Sequence, residues 1–133
     1  MTVSTRSSKV RADIKKNRLY ITLSGTIPKK EVESIYTDIR FCVADLKPGF
    51  HVITDLTEAR IGHLIAIPTF IKIMEYLSAS QVGRIVRVVG KAKTLLQQMS
   101  RITATVKGYK PSYVSTLEEA EAMVSGFEET SAE

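Results

Sequence analysis

The chain has 133 residues, 44% of them apolar and 25% charged, with a formal net charge of +5. That is the size of one domain with enough apolar mass for one core, and it excludes a disordered, collagen-like or disulfide-stapled polypeptide. The charge is uneven: six acids and no base lie from Glu118 onward, so residues 1–117 hold 19 bases against 8 acids, a net +11.

The bases cluster in residues 6–18, 84–93 and 101–110. A field of this sign attracts nucleic acid or anionic lipid. No basic helix, zinc finger or RNP-type aromatic motif accompanies it, so nucleic acid is not the expected partner. Cys42 is the sole cysteine and cannot form an internal disulfide, which fits a reducing compartment. The Ser/Thr-rich start lacks the apolar run of a signal peptide. Lys72 and Glu75 interrupt the longest apolar stretch, leaving it too short to span a bilayer. The expected location is cytoplasmic, without a transmembrane segment.

In chain order, residues 1–8 read as a flexible N-terminus. Val10, Ala12 and Ile14 alternate with polar residues, as do Leu19, Ile21 and Leu23, with a polar turn at 15–18 between them. That is a β-hairpin with one buried face. Gly25 and Pro28 break the pattern, and Pro28 suits the start of a helix. Val32, Ile35, Ile39, Cys42 or Val43, and Leu46 recur at helical spacing, and Pro48 and Gly49 end that helix. Cys42 falls on or beside its core-facing stripe.

Phe50, His51, Val52 and Ile53 form an interior-type strand running to Asp55, after which an open loop leads to a second helix over 68–79. Residues 85–89 give another interior strand, closed by Gly90. A third helix follows, with Leu95, Leu96, Met99 and Ile102 on its apolar side. Residues 113–115 make a short last strand. Thr116 and Glu119 form a capping box, each side chain satisfying the other's free backbone N–H. Leu117, Ala120, Met123, Val124 and Phe127 line the final helix, and 128–133 read as an acidic flexible tail. The expectation is a single α/β domain over 9–127, a mixed sheet of about five strands with about four helices, because crossover helices connect parallel strands.

Three segments carry a family resemblance: Val52, Ile53, Thr54, Asp55 and Leu56; residues 84–90 leading to residues 95–99; and residues 115–120 opening the last helix. On these the chain resembles the STAS domain of the SpoIIAA-like anti-sigma-factor antagonists, over nearly its whole length. The resemblance implies a non-catalytic interaction module of bacterial regulation, docking a protein partner through the loop and helix after the central strand. In that family the strand leads to an Asp-Ser-Ser-Gly type segment whose serine a partner kinase phosphorylates. Here the serine positions are Arg60 and Ile61 if Gly62 is matched to the motif glycine, or Leu64 and Ile65 if Ala66 is. Neither register supplies a hydroxyl, so the expected protein lacks the serine switch. The nearest hydroxyls, Thr57 and Thr69, read as loop or capping residues.

Asp55 is expected to orient its loop by accepting backbone N–H bonds. His51 and His63 do not form a metal spacing and read as structural. Gly90, Lys91 and Lys93 form a possible anion-binding turn, since Gly90 follows a strand and opens a helix. Ile85 and Ala92 stand where a Walker A loop needs glycine and a hydroxyl.

The second helix has a wide apolar arc, which suits a fuller core or a surface offered to another chain. The expected partner-binding or self-association surface comprises Asp55, Thr57, Arg60, Ile61, His63, Leu64, Ile65, Phe70, Ile73 and Tyr76. The alternative is a small-molecule or lipid-binding domain that uses the same apolar region as a pocket mouth. No nucleophile elbow, Cys-His pair or metal cluster points to an enzyme, and no cofactor is expected.

Overall fold

A computed structural model describes residues 8–60, 67–91 and 93–132. The elements are β1 (Lys9–Asp13), β2 (Arg18–Thr26), α1 (Lys29–Val43), β3 (His51–Arg60), α2 (Ile67–Ala79), β4 (Ile85–Val88), α3 (Lys93–Thr103), β5 (Ser112–Val114) and α4 (Leu117–Ala132). This is the mixed five-stranded α/β sheet with four helices that the periodicity implies. α4 continues to Ala132, past the Phe127 at which its apolar pattern stops.

The sheet order is β1-β2-β3-β4-β5; β1 and β2 pair antiparallel as a hairpin, and every later neighbour is parallel. Because the order never reverses, right-handed crossovers deposit each connecting helix on the same side. Accordingly α1, α2 and α3 cover one face, over Leu19, Ile21, Leu23, Val52, Leu56, Ile85 and Val89. Among the described residues only α4, which follows the last strand, lies on the other face, with Ala120 and Val124 against Tyr20, Ile53, Val86 and Val88. The hairpin therefore differs from its one-buried-face reading: β2 is covered on both sides, since α4 closes the back over Tyr20.

Local chemistry fixes the element ends. Pro28 stands immediately before α1 in extended conformation, and its carbonyl accepts from Glu31 and Val32 N–H at 3.0 and 3.1 Å. Asn17 adopts a left-handed conformation (φ 56°) in the hairpin turn. Its side chain bonds the N–H and C=O of Lys47 at 2.8 and 3.2 Å, tying the turn to the α1–β3 connection. The capping box forms as expected, with Thr116 N–H on Glu119 at 3.0 Å and Glu119 N–H on Thr116 at 3.1 Å. Leu117, assigned to the apolar side of α4, is instead 45% exposed.

His51 is structural: its Nδ1 accepts the Arg84 N–H at 2.8 Å. Gly83 makes that contact possible, because a Cβ there would lie 2.5 Å from the Gly49 carbonyl and 2.9 Å from His51 Nδ1. A backbone oxygen on a strand entry cannot give way as a flexible side chain does. Gly83→Ala is expected to destabilise the fold by about 2 kcal/mol or more, read by chemical denaturation. An unchanged midpoint would show that the Gly49–Gly83 approach is looser than this geometry.

Candidate functional site

β3 outruns its neighbour. β4 pairs with it only through Val88, opposite Asp55, whereas residues 58–60 of β3 continue alongside Ser24, Gly25 and Thr26 of β2. The sequence expectation of an open loop directly after Asp55 is thus corrected: the strand continues to Arg60 because β2 is long enough to keep pairing with it. The continuation is not in simple register. Between Thr22 and Ser24 the partners step from Asp55 to Glu58, so β3 accommodates one extra residue, a β-bulge at Leu56–Thr57.

A bulge leaves a backbone N–H without its ladder partner. Asp55 satisfies it: its Oδ1 accepts the Thr57 N–H at 3.0 Å and also the Thr57 hydroxyl. The role expected of Asp55, holding local backbone, is the one observed, at a bulge rather than in a loop. Asp55 is half-buried, while Thr57, Glu58 and Arg60 are exposed, so the projecting strand end offers polar and charged groups to solvent.

The turn after β4 meets this bulge. Gly90 has φ +62°, and a Cβ on it would lie 3.0 Å from Thr57 Cγ2, so the left-handed turn and the close approach both favour glycine. Lys91 beside it is exposed. Asp55, Thr57, Gly90 and Lys91, placed by sequence in two separate sites, therefore share one end of the sheet. Lys93 opens α3 there, with its side chain outside the described residues. Ile61, His63, Leu64 and Ile65 also lie outside the described residues.

Phe70 and Ile73, expected on a partner surface, are each 7% exposed and belong to the core. The width of the apolar arc has an internal cause. α2 lies between α1 and α3 over the sheet, so its bottom and both flanks meet protein. Tyr76 is half-buried in the α1–α2 seam, edge-on to Tyr36 at 5.9 Å between ring centres. The solvent side of α2 is left to Pro68, Lys72, Glu75 and Ala79. Thr69, one of the two nearest hydroxyls to the absent serine, is buried as well.

Two buried charges escaped the sequence reading. Arg18 reaches beneath α4, with its guanidinium 3.0 Å from Glu121 and 3.2 Å from the Ser125 hydroxyl, and Tyr20 donates to the same carboxylate at 2.8 Å. Burial pushes the Tyr20 phenol above its ordinary value, which keeps it a donor to Glu121. Arg87 stands in the centre of β4, on the opposite face, and is 3% exposed. A charged residue inside an otherwise apolar run of strand was the available signal for it.

The core beneath α2 contains a small, partly open cavity of about 40 Å³, lined by Ile21, Leu56, Phe70, Met74, Leu77 and Arg87 among others. Among the described residues no group of His, Cys, Asp and Glu is placed to hold a metal ion. No helix among them is long and apolar enough to cross a membrane.

No family model and no curated protein matches this sequence. Solved structures do resemble it. The chain is similar to the NMR structure of the protein TM1081, with a TM-score of 0.60 at 12% identity over 93% of this chain and 91% of that one. It is also similar to SpoIIAA, a Bacillus cell fate determinant solved in its phosphorylated form, with a TM-score of 0.62 at 16% identity over 89% of this chain and 99% of that one. The chain thus has the fold of SpoIIAA, as the resemblance implied.

Cys42 lies beside the core-facing stripe of α1 and is half-buried. Its thiol is pushed above the ordinary value, first by burial and then by the nearby Asp38 and Asp45 carboxylates. Less thiolate is present at neutral pH than in a free cysteine, and the thiolate is the reactive form. Alkylation of native Cys42 is expected to be several-fold slower than that of the denatured chain at pH 7.5. Equal rates would show a thiol that neither burial nor its acidic neighbours restrain.

Proposed function

We propose that the protein is a non-catalytic interaction module of bacterial regulation that docks a protein partner at the carboxyl end of β3. The observation that carries this reading is the bulged strand end itself. Residues 58–60 project beyond β4, with the backbone re-aimed at Leu56–Thr57 and the exposed Lys91 turn packed alongside. Bulges of this kind recur where a strand presents side chains to a site. SpoIIAA, whose fold this chain shares, is a cell fate determinant that exists in a phosphorylated form, which supports a regulatory role reached through protein contacts.

The docking surface consists of Asp55, Thr57 and Arg60, the following residues Ile61, His63, Leu64 and Ile65, and the turn at Gly90 and Lys91 with Lys93 after it. Phe70 and Ile73 support it from the core, and Tyr76 braces α2 against α1. Regulation does not run through the usual serine, since Arg60 and Ile61, or Leu64 and Ile65, stand in its place. Thr69 is buried, and Asp55 holds the Thr57 hydroxyl. A surface that combines Arg60 and Lys91 suits an acidic partner face.

The lipid or small-molecule alternative gains nothing from the core cavity beneath α2. Its volume of about 40 Å³ compares with roughly 300–1,000 Å³ for sites that hold such ligands.

A double variant, Thr57→Arg with Lys91→Glu, changes two exposed side chains and is expected to melt within a few degrees of wild type. Affinity capture from native lysate, quantified by mass spectrometry, should show the bound partner reduced about tenfold or more in the variant. Identical capture by a folded variant would remove this end of the sheet as the docking site.

A further inference from the structure

Arg87 lies in the middle of β4 between α2 and α3, and every described group in contact with its guanidinium is neutral. Its Nη1 donates to the Thr103 hydroxyl at 2.6 Å and to the Tyr113 hydroxyl at 3.0 Å, and its Nη2 approaches the Met74 sulfur at 3.3 Å. The rings of Tyr109 and Tyr113 lie 5.4 and 5.8 Å from its Cζ. No carboxylate among the described residues is within ion-pair distance of it, in contrast to Arg18, which has Glu121 at 3.0 Å. Dipoles and ring faces only partly offset the desolvation of a cation, so a positive potential persists here with no anion among the described residues to balance it.

That potential reaches solvent through the two hydroxyls. Each accepts from Arg87, so the hydrogen of each must point elsewhere. Thr103 has only the Met74 sulfur at 3.5 Å as an acceptor among the described residues, and Tyr113 has none. Both side chains line a surface cleft of about 390 Å³ between the end of α3 and the α3–β5 connection. Ser100 adds a further hydroxyl and Lys107 and Lys110 two exposed ammonium groups, while no acid lines the cleft. Gly108, with φ +85°, turns the chain between the two lysines.

We infer that this cleft binds a phosphoryl dianion, as inorganic phosphate or as the phosphate of a small monoester. The anion sits between the Lys107 and Lys110 ammonium groups and takes the hydroxyl hydrogens of Tyr113 and Thr103. Arg87 does not touch it: it polarises those hydroxyls from behind and supplies the counter-charge that the interior lacks. The site is separate from the Gly90–Lys91 turn, where a different set of backbone groups is presented.

Isothermal titration of the full chain with inorganic phosphate, and in parallel with glycerol phosphate, tests this against sodium chloride at matched ionic strength. Saturable phosphate binding is expected, weakened about tenfold or more by Tyr113→Phe and by the pair Lys107→Gln and Lys110→Gln, and unaffected by Lys91→Gln. The lysine pair is exposed, so its variant keeps the fold and reports on binding alone. Tighter binding of glycerol phosphate than of phosphate assigns the cleft to monoesters, and the reverse order assigns it to the free ion. Absence of saturation up to about 10 mM, a heat reproduced by chloride, or binding that Lys91→Gln removes while the lysine pair leaves it intact would each overturn the assignment.

Discussion

Parallel pairing of β3 with β2 on one side and β4 on the other is the constraint on which the remaining architecture depends. It aligns the carboxyl ends of three strands, and with the unreversed strand order it commits three crossover helices to one face. α2 is then flanked by α1 and α3, which is why its apolar arc is wide and why Phe70 and Ile73 are buried. The other face is left to a single helix that follows the last strand, held by Ala120 and Val124 and by the Arg18–Glu121 pair. The difference in length between β2 and β4 does the rest. β3 loses its β4 partner at Asp55 but keeps β2 as far as Arg60, so its last residues project beside the Gly90 turn.

What could be read from the sequence was local. The pairing of the β1–β2 hairpin, the start of α1 beside Pro28 and the Thr116–Glu119 box depend on residues within a few positions of one another, and each formed as expected. The misses depended on distant neighbours. The bulge at Leu56–Thr57 is decided by the register with Thr22 and Ser24, thirty residues or so earlier in the chain. Burial of Phe70 and Ile73, and of the Tyr20 face of β2, is decided by which helices land on each side of the sheet. Leu117 fits the apolar period of α4 and yet is exposed. Of the site, the structural role of Asp55 was legible because an aspartate side chain readily accepts backbone N–H bonds from residues one or two positions on. That Thr57 and Gly90 touch was not, since no pattern links two carboxyl ends on adjacent strands.

The two buried arginines illustrate how position gives one residue type different consequences. Arg18 has a carboxylate at 3.0 Å, and its charge is used internally to fasten α4. Arg87 has hydroxyls, a thioether and aromatic faces, and no carboxylate among the described residues within ion-pair distance. Burying a cation without an anion is costly, and a fold that does so beside a solvent cleft directs the potential outward. The proposed docking edge at β3 and the proposed anion cleft lie on different elements, so the two proposals can be tested independently.

Amide hydrogen exchange of the protein, free and saturated with the partner obtained by capture, tests the central claim most directly. Slowed exchange concentrated in residues 57–66, the Gly90–Lys91 turn and the start of α2 is the predicted result. Protection confined to β1, the outer face of α1 or α4, with residues 57–60 exchanging as in the free protein, would contradict it.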